Sequence, residues 1–344
     1  MLVAIDFETS GLDMYSPTSF VVSCAFAWRV GDEVAHKVYF GHDDIKAALH
    51  AIGKDDQVCV YNAAFEGLVL TSHFPECGVK LSIDVMRLVQ NFDNGEEVKS
   101  FGLKDAVRRL LPVSEHDYEK RMNSWLKSAK AERDLIFLAP RDILEEYNAG
   151  DAINTLKIAE ICLERFEKEG FNWKRDHSLY MSSAQHVTSA KLNGVKVNRQ
   201  ALIAYIQAIE QELKDNEKEF RASLEEEIGE VERILTAKEQ AKFKKKVVSL
   251  VEFNVDSNTH RTILFEEVMK LSVKFRSPSG KPSLKKSHLY QFGDVARKLE
   301  KRKGRQIVLT QAKALLDLSA SDGKWHIDLK LAGTSTSRFA GGSQ

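Results

Sequence analysis

The segment AIDFETSG, residues 4–11, puts two carboxylates two positions apart inside an apolar run. Side chains of a strand alternate between its faces, so Asp6 and Glu8 share one face. Burying a lone charge is costly, and two like charges on one buried face need a counter-charge. A divalent cation is the natural one. The other solution is an edge strand with hydrated acids, and an Asp-x-Glu pair by itself is common. The chain must therefore either expose this strand or build a cation site upon it.

The first half supplies the setting. LVAIDFE, FVVSCAFAWR and VAHKVYF read as three successive strands separated by GLDMYSPTS and VGDE, and VCVYN and KLSIDV read as two more. Helical patterns occupy DDIKAALHAI, FEGLVLTSHF and much of 102–130. A long helix is predicted from Arg141 to Lys168, with Pro140 at its start and Gly170 at its stop. A strand meander followed by strands alternating with helices predicts an α/β domain, a mixed sheet flanked by helices.

The second half is expected to be mainly α-helical. A single amphipathic helix is predicted from Arg199 to about Glu227, with Leu202, Ile206, Ile209, Leu213 and Phe220 at helical spacing. A charged helix carrying AKEQAKFKKKVV follows. Next comes a loop-rich passage through EFNVDSNTHRTILFEE and FRSPSGKPSLKKS, and then basic helices at DVARKLEKRKGRQ and QAKALLDL. The expected domains are 1–175 and 176–344.

The 344 residues suffice for two cores. A composition 43% hydrophobic and 29% charged suits a soluble globular protein. The N-terminus lacks a basic stretch before its apolar run, so no signal peptide is expected. No run of about 20 apolar residues predicts a membrane span. Four scattered cysteines argue against a disulfide framework or zinc site and fit a cytoplasmic location. The net charge of zero conceals a split. Residues 1–170 carry 19 Lys and Arg against 29 Asp and Glu, a net −10, and residues 171–344 carry the balancing +10. Two solvated surfaces of opposite sign would account for this. So would a cation site in the first half and a polyanion grip in the second.

Two more pieces carry chemistry. YNAAFEG follows the strand VCV, placing Asn62 at the strand end and Glu66 in the first turn of a helix, where ordinary capping also explains both. EYNAGDAINTLKI lies within the long helix, where Tyr147 and Asp151 at i and i+4 share a face. Ile143, Leu144, Ile153, Leu156 and Ile158 turn to the core, and a surface helix with one buried tyrosine is the plainer reading.

Taken in order, the acid pair, Asn-x-x-Phe-acid and Tyr-x-x-x-Asp resemble the three motifs of the DnaQ-like (DEDD) 3′→5′ exonucleases, tyrosine subtype. The resemblance implies an RNase H-like fold with Asp6, Glu8, Glu66 and Asp151 converging at one end of the sheet beside Tyr147. These acids would hold two Mg²⁺ or Mn²⁺ ions, with Asp6 bridging them, Glu8 and Asp151 completing the water-activating site, Glu66 on the second ion and Tyr147 orienting the water. Asn62 and Phe65 would meet the DNA strand. The second motif usually ends in aspartate; here it ends in Glu66.

The second half, KLNGVKVNRQAL through FNVDSNTHRTILFEE to SGKPSLKK, resembles the thumb of family A (DNA polymerase I-like) polymerases, and the compact design resembles bacteriophage members. A thumb grips duplex phosphates without reading sequence. Lys242, Lys244, Lys245, Lys246, Lys281, Lys285 and Lys286, then Arg297, Lys298, Lys301, Arg302, Lys303 and Arg305, are the candidate contacts. The closing KLAGTSTSRFAGGSQ resembles the T-x-T-x-R segment leading into the palm, with Thr334, Thr336 and Arg338 as the matching residues. Palm and fingers motifs are absent, so a second chain is the expected partner, with primer-template DNA, and the tail is expected to be mobile without it. Two alternatives stay open. One is a free-standing DNA or RNA exonuclease similar to ribonuclease D with a helical appendage. The other is an inactive DNA-clamping or docking subunit.

Overall fold

A computed structural model of the chain describes all residues except 12, 13, 15, 17, 94–99, 116, 244–248, 279, 281, 320, 332–339 and 342–344. The chain forms two compact units. One comprises Met1–Val195 with His326–Gln344, the other Lys196–Trp325.

The first unit is built on β1 (Leu2–Thr9), β2 (Val21–Val30), β3 (Glu33–Phe40), β4 (Gln57–Val60) and β5 (Leu81–Asp84) in the order β3-β2-β1-β4-β5. β1 to β3 are antiparallel, while β4 and β5 run parallel to β1, making the expected mixed sheet. Helices interleave: α1 (His42–His50), α2 (Ala63–His73), α3 (Val85–Phe92), α4 (Leu103–Leu110), α5 (Lys120–Ala129), α6 (Arg141–Lys168) and α7 (Trp173–Asn193).

The period-two pattern of β1 sorts its side chains into two cores. Val3, Ile5 and Phe7 join Leu68, Val69 and Tyr180 of α2 and α7 on one face. Ala4 joins Ala25, Ala27 and Cys59 with Ala152, Leu156 and Ala159 of α6 on the other. Small residues on both partners let α6 lie close against the sheet. On this face the strand changes from apolar to acidic at Asp6 and Glu8, and α6 changes from apolar to polar at Asp151, Asn148 and Tyr147. The two polar ends meet. The register of β1 with β2 also shifts after Glu8, where Val22 of β2 is the extra residue between the partners of Glu8 and Thr9; bulges of this kind re-aim side chains next to sites.

α7 packs on α2 and β5 in this unit, although the expected domain division fell at 175. The described parts of the closing segment belong here too. Leu331 is buried in the α2–α7 core, Leu329–Lys330 pairs antiparallel with Ala340–Gly341, and His326 Nδ1 meets the Lys191 carbonyl at 2.6 Å. These parts pair and pack within their own unit; the residues of the expected T-x-T-x-R motif, Thr334, Thr336 and Arg338, lie outside the described residues.

The second unit contains α8 (Arg199–Ala222), α9 (Glu225–Phe243), α10 (Asn258–Thr262), which runs into a π-helical turn at Ile263–Val268, and α11 (Asp294–Leu318). The helix expected to about Glu227 ends at Ala222, and the charged helix expected after it starts at Glu225. Ser223 Oγ turns back onto the Phe220 carbonyl at 2.9 Å, and the acidic run Glu225–Glu227 suits a fresh N-terminus. The two basic helices expected further on are one, α11, continuous through Gly304. Leu309 and Ala312 pack on Ile206, Ile209 and Leu213 of α8, which offsets the poor helix propensity of that glycine. The far end of α8 enters a second core with Val231, Phe253, Phe265 and Phe292. No described helix is long and apolar enough to cross a membrane.

Candidate metal centre and its cage

β1 and α6 bring Asp6, Glu8 and Asp151 together, with a carboxylate oxygen of each within 4.8 Å of the others. All three are buried. Asp6 and Glu8 are both held well above the usual carboxylate range, first by burial and then by the neighbouring acids, with Lys104 opposing. Glu66 is buried as well. Burial, followed by the Asp6 charge, raises its affinity for a proton, and its Oε2 has no hydrogen-bond partner. The three clustered acids are a donor set for a hard divalent cation, and Glu66, outside that cluster but within reach of the Asp6 charge, adds an orphaned buried oxygen, so the residues fit Mg²⁺ or Mn²⁺. Exposed acids need no ion; these are not exposed.

Asn62 precedes α2 but its side chain does not cap it. Asp84, at the end of β5, accepts instead from Ala63 N at 2.8 Å and from Arg87 N at 3.0 Å, tying the starts of α2 and α3 together. His177 Nε2 accepts from Asp84 N at 3.1 Å. Burial pushes His177 down to about 4 and Asp84 up to about 6. This lock sets where α2 presents Glu66. Phe65 packs half-buried on the α2–α7 core.

Tyr147 is buried one turn before Asp151. Burial and the charges of Asp151 and Glu8 raise its phenol well above its ordinary value. It therefore stays protonated and can serve as a hydrogen-bond donor, not as a base.

Four contributors were not legible in the sequence. Asn148 Nδ2 donates to Asp6 Oδ2 at 2.7 Å. Lys104 Nζ donates to Asp151 Oδ1 at 2.5 Å and to Tyr118 Oη at 2.6 Å, and Tyr118 Oη donates to the same Asp151 oxygen at 2.5 Å. Arg133 pairs with the buried Glu119 and lowers the proton affinity of Glu8. Asn148 was the most accessible of these, three residues before Asp151 on one helical face. Lys104 and Tyr118 carry no local signal.

Gly150 explains itself here. A Cβ at this position would stand 2.3 Å from Tyr118 Cδ2, so only glycine lets that ring lie on α6.

Among the proposed DNA contacts, Lys244, Lys245, Lys246, Lys281 and Arg338 lie outside the described residues, as does the side chain of Lys286; Lys285 is exposed. Several cations of α11 are engaged internally with α8. Lys298 pairs with Glu219, Lys301 and Arg305 with Glu212, Lys313 with Glu210, and Arg302 with Glu217.

Neither protein-family models nor curated proteins give a match. Among solved structures, the chain is similar to the POL domain of Pol1 from M. smegmatis in complex with DNA primer-template and dNTP, at a TM-score of 0.64 and 12% identity. The match covers 98% of this chain and 50% of that one, so the chain spans about half the length of the structure it resembles. At this identity the likeness is one of fold alone: an α/β unit with a mixed five-stranded sheet, and a helical unit.

Proposed function

We propose that the chain is a metal-dependent 3′→5′ exonuclease joined to the helical, DNA-gripping portion of a family A polymerase of bacteriophage type. The observation that carries this reading is the meeting of Asp6, Glu8 and Asp151 on one face of the sheet, with Tyr147 one turn from Asp151 and Glu66 carrying an orphaned oxygen. The fold likeness to a polymerase domain solved with primer-template DNA supports DNA as the ligand.

Asp6, Glu8 and Asp151 would hold the ions, and Glu66 would complete the set from α2. The ions, when bound, acidify an attacking water and stabilise the leaving oxygen. Everything else falls to the chain. Asn148 fixes the Asp6 carboxylate, and the protonated Tyr147 phenol orients water by donating to it. The second unit would hold the duplex by its phosphates.

The test is degradation of a 5′-labelled single-stranded DNA with Mg²⁺ or Mn²⁺, against the same assay in chelator. The expected result is stepwise shortening from the 3′ end, abolished by chelator and by the Asp6→Ala/Glu8→Ala double variant. Unchanged activity in that variant would overturn the site assignment. Preference for RNA over DNA would overturn the polymerase reading.

A further inference from the structure

Lys104 lies in the first turn of α4, and its ammonium is enclosed from several sides. Besides its bonds to Asp151 Oδ1 and Tyr118 Oη, it stands 3.6 Å from Glu119 Oε1. It also lies 4.4 Å from the ring centroid of Tyr147 and 4.6 Å from that of Tyr118. The two rings are stacked, with centroids 6.4 Å apart. A cation between aromatic faces is stabilised by their quadrupoles, more so when desolvated. Lys104 is only 22% exposed. The cage is built into the fold, because Tyr118 keeps its place through the missing Cβ of Gly150.

Three buried acids without a counter-charge would be prohibitive in the metal-free protein. Lys104 supplies that charge. In doing so it binds Asp151, one of the three carboxylates of the proposed metal centre, through Oδ1. A carboxylate oxygen offers two acceptor directions, and Asp151 Oδ1 already receives Lys104 and Tyr118. The ammonium also repels any second cation. A lysine head on a flexible four-carbon stem can swing aside without moving the helix that bears it.

We infer that Lys104, braced by Tyr118, is the resident counter-cation of the acid cluster and competes with a divalent ion for it, so that ion binding displaces the lysine from Asp151. This rests on reading Asp6, Glu8 and Asp151 as a metal centre. Lys104 then holds the empty site together and weakens metal binding, so that metal loading and release of the lysine are one event.

Calorimetric titration of the whole chain with Mn²⁺ tests this, comparing wild type with Lys104→Met. The expected result is at least tenfold tighter Mn²⁺ binding by the variant. Equal or weaker binding by the variant would overturn the role of Lys104 and leave the metal centre standing. Binding by neither protein would overturn the metal centre itself. Lys104→Met leaves the acids uncompensated and can compromise folding, so a second measurement uses the wild-type chain. With ¹³C in the lysine ε-methylenes, the Lys104 signal should be displaced by the two tyrosine rings. It should move to the position of a solvated lysine as Mg²⁺ saturates the site. A signal that keeps its place while calorimetry records Mg²⁺ binding would overturn the inference.

Discussion

Asn148 holds Asp6 in place: its Nδ2 donates to the Asp6 carboxylate at 2.7 Å and to the Asp6 carbonyl at 3.2 Å, while Ser23 Oγ donates to Asn148 Oδ1 at 2.9 Å. The relay joins α6, β1 and β2, and all three residues are buried. Its members have no water to turn to, so loss of one leaves another unsatisfied. Asn148→Ala should cost about 1–3 kcal/mol of stability and slow the proposed hydrolysis by misplacing Asp6, while Ser23→Ala should cost less. Thermal unfolding and single-turnover hydrolysis check both. A rate of the proposed hydrolysis unchanged in Asn148→Ala would show that Asp6 is positioned by β1 alone.

Gly150→Ala sets two effects against each other. Alanine is the better helix former by about 1 kcal/mol. Its Cβ would meet Tyr118 Cδ2 at 2.3 Å, well inside contact distance. Displacing a packed ring costs about 1–3 kcal/mol, so the clash should prevail and the variant should melt earlier. Adding Tyr118→Ala should remove the clash and recover the helical gain, which makes the pair strongly non-additive in a double-mutant cycle. Additive losses would mean that the ring moves aside freely.

How far the sequence carries depends on whether a signal is local. β1 to β5 and α6 were legible because their patterns are periodic and their breaks are marked, as by Pro140 and Gly170. The pairing of Asp6 with Glu8, and of Tyr147 with Asp151, followed from strand and helix periods alone. Lys104 and Tyr118 were not legible, because they reach Asp151 from elements 47 and 33 positions away. Nothing in FGLKDAV or EHDYEK distinguishes them from surface residues. The break at Ser223 was expected a few residues later, near Glu227, since it has neither glycine nor proline and rests on one side-chain hydroxyl and the acids after it.

The ion pairs of the second unit should separate by burial. Arg302 is 7% exposed, donates to Leu213 O at 2.6 Å and reaches Asp256 Oδ2 at 2.8 Å and Glu217 Oε2 at 3.1 Å. Arg302→Met would remove the buried bond to the Leu213 carbonyl and one partner each from Asp256 and Glu217, which keep Arg261 and Arg221, a loss of about 1–3 kcal/mol. Lys298→Met and Lys313→Met break exposed pairs and should cost under about 1 kcal/mol. Denaturant titration of the three variants measures the difference. Equal losses would mean that the Arg302 network adds nothing beyond a surface pair.

Glu66 should make the metal-free protein sensitive to pH in a defined direction. Burial and Asp6 hold its folded proton affinity above that of the unfolded chain. The folded state therefore binds the proton more tightly, and the stability this contributes is present below the unfolded value, near pH 4 to 5, and lost as pH rises through the folded value. Above that point an ionised carboxylate sits buried with one oxygen unpartnered. Glu66→Gln is close to isosteric and cannot ionise. In chelator the two proteins should melt together near pH 4.5, and the variant should be the more stable at pH 8, by about 1–3 kcal/mol. Mn²⁺ at pH 8 should then raise the melting temperature of wild type more than that of the variant, since only the wild type regains a partner for its charge. A gap between the two proteins that does not change with pH would show that Glu66 is already neutralised by something other than a bound proton or a metal ion.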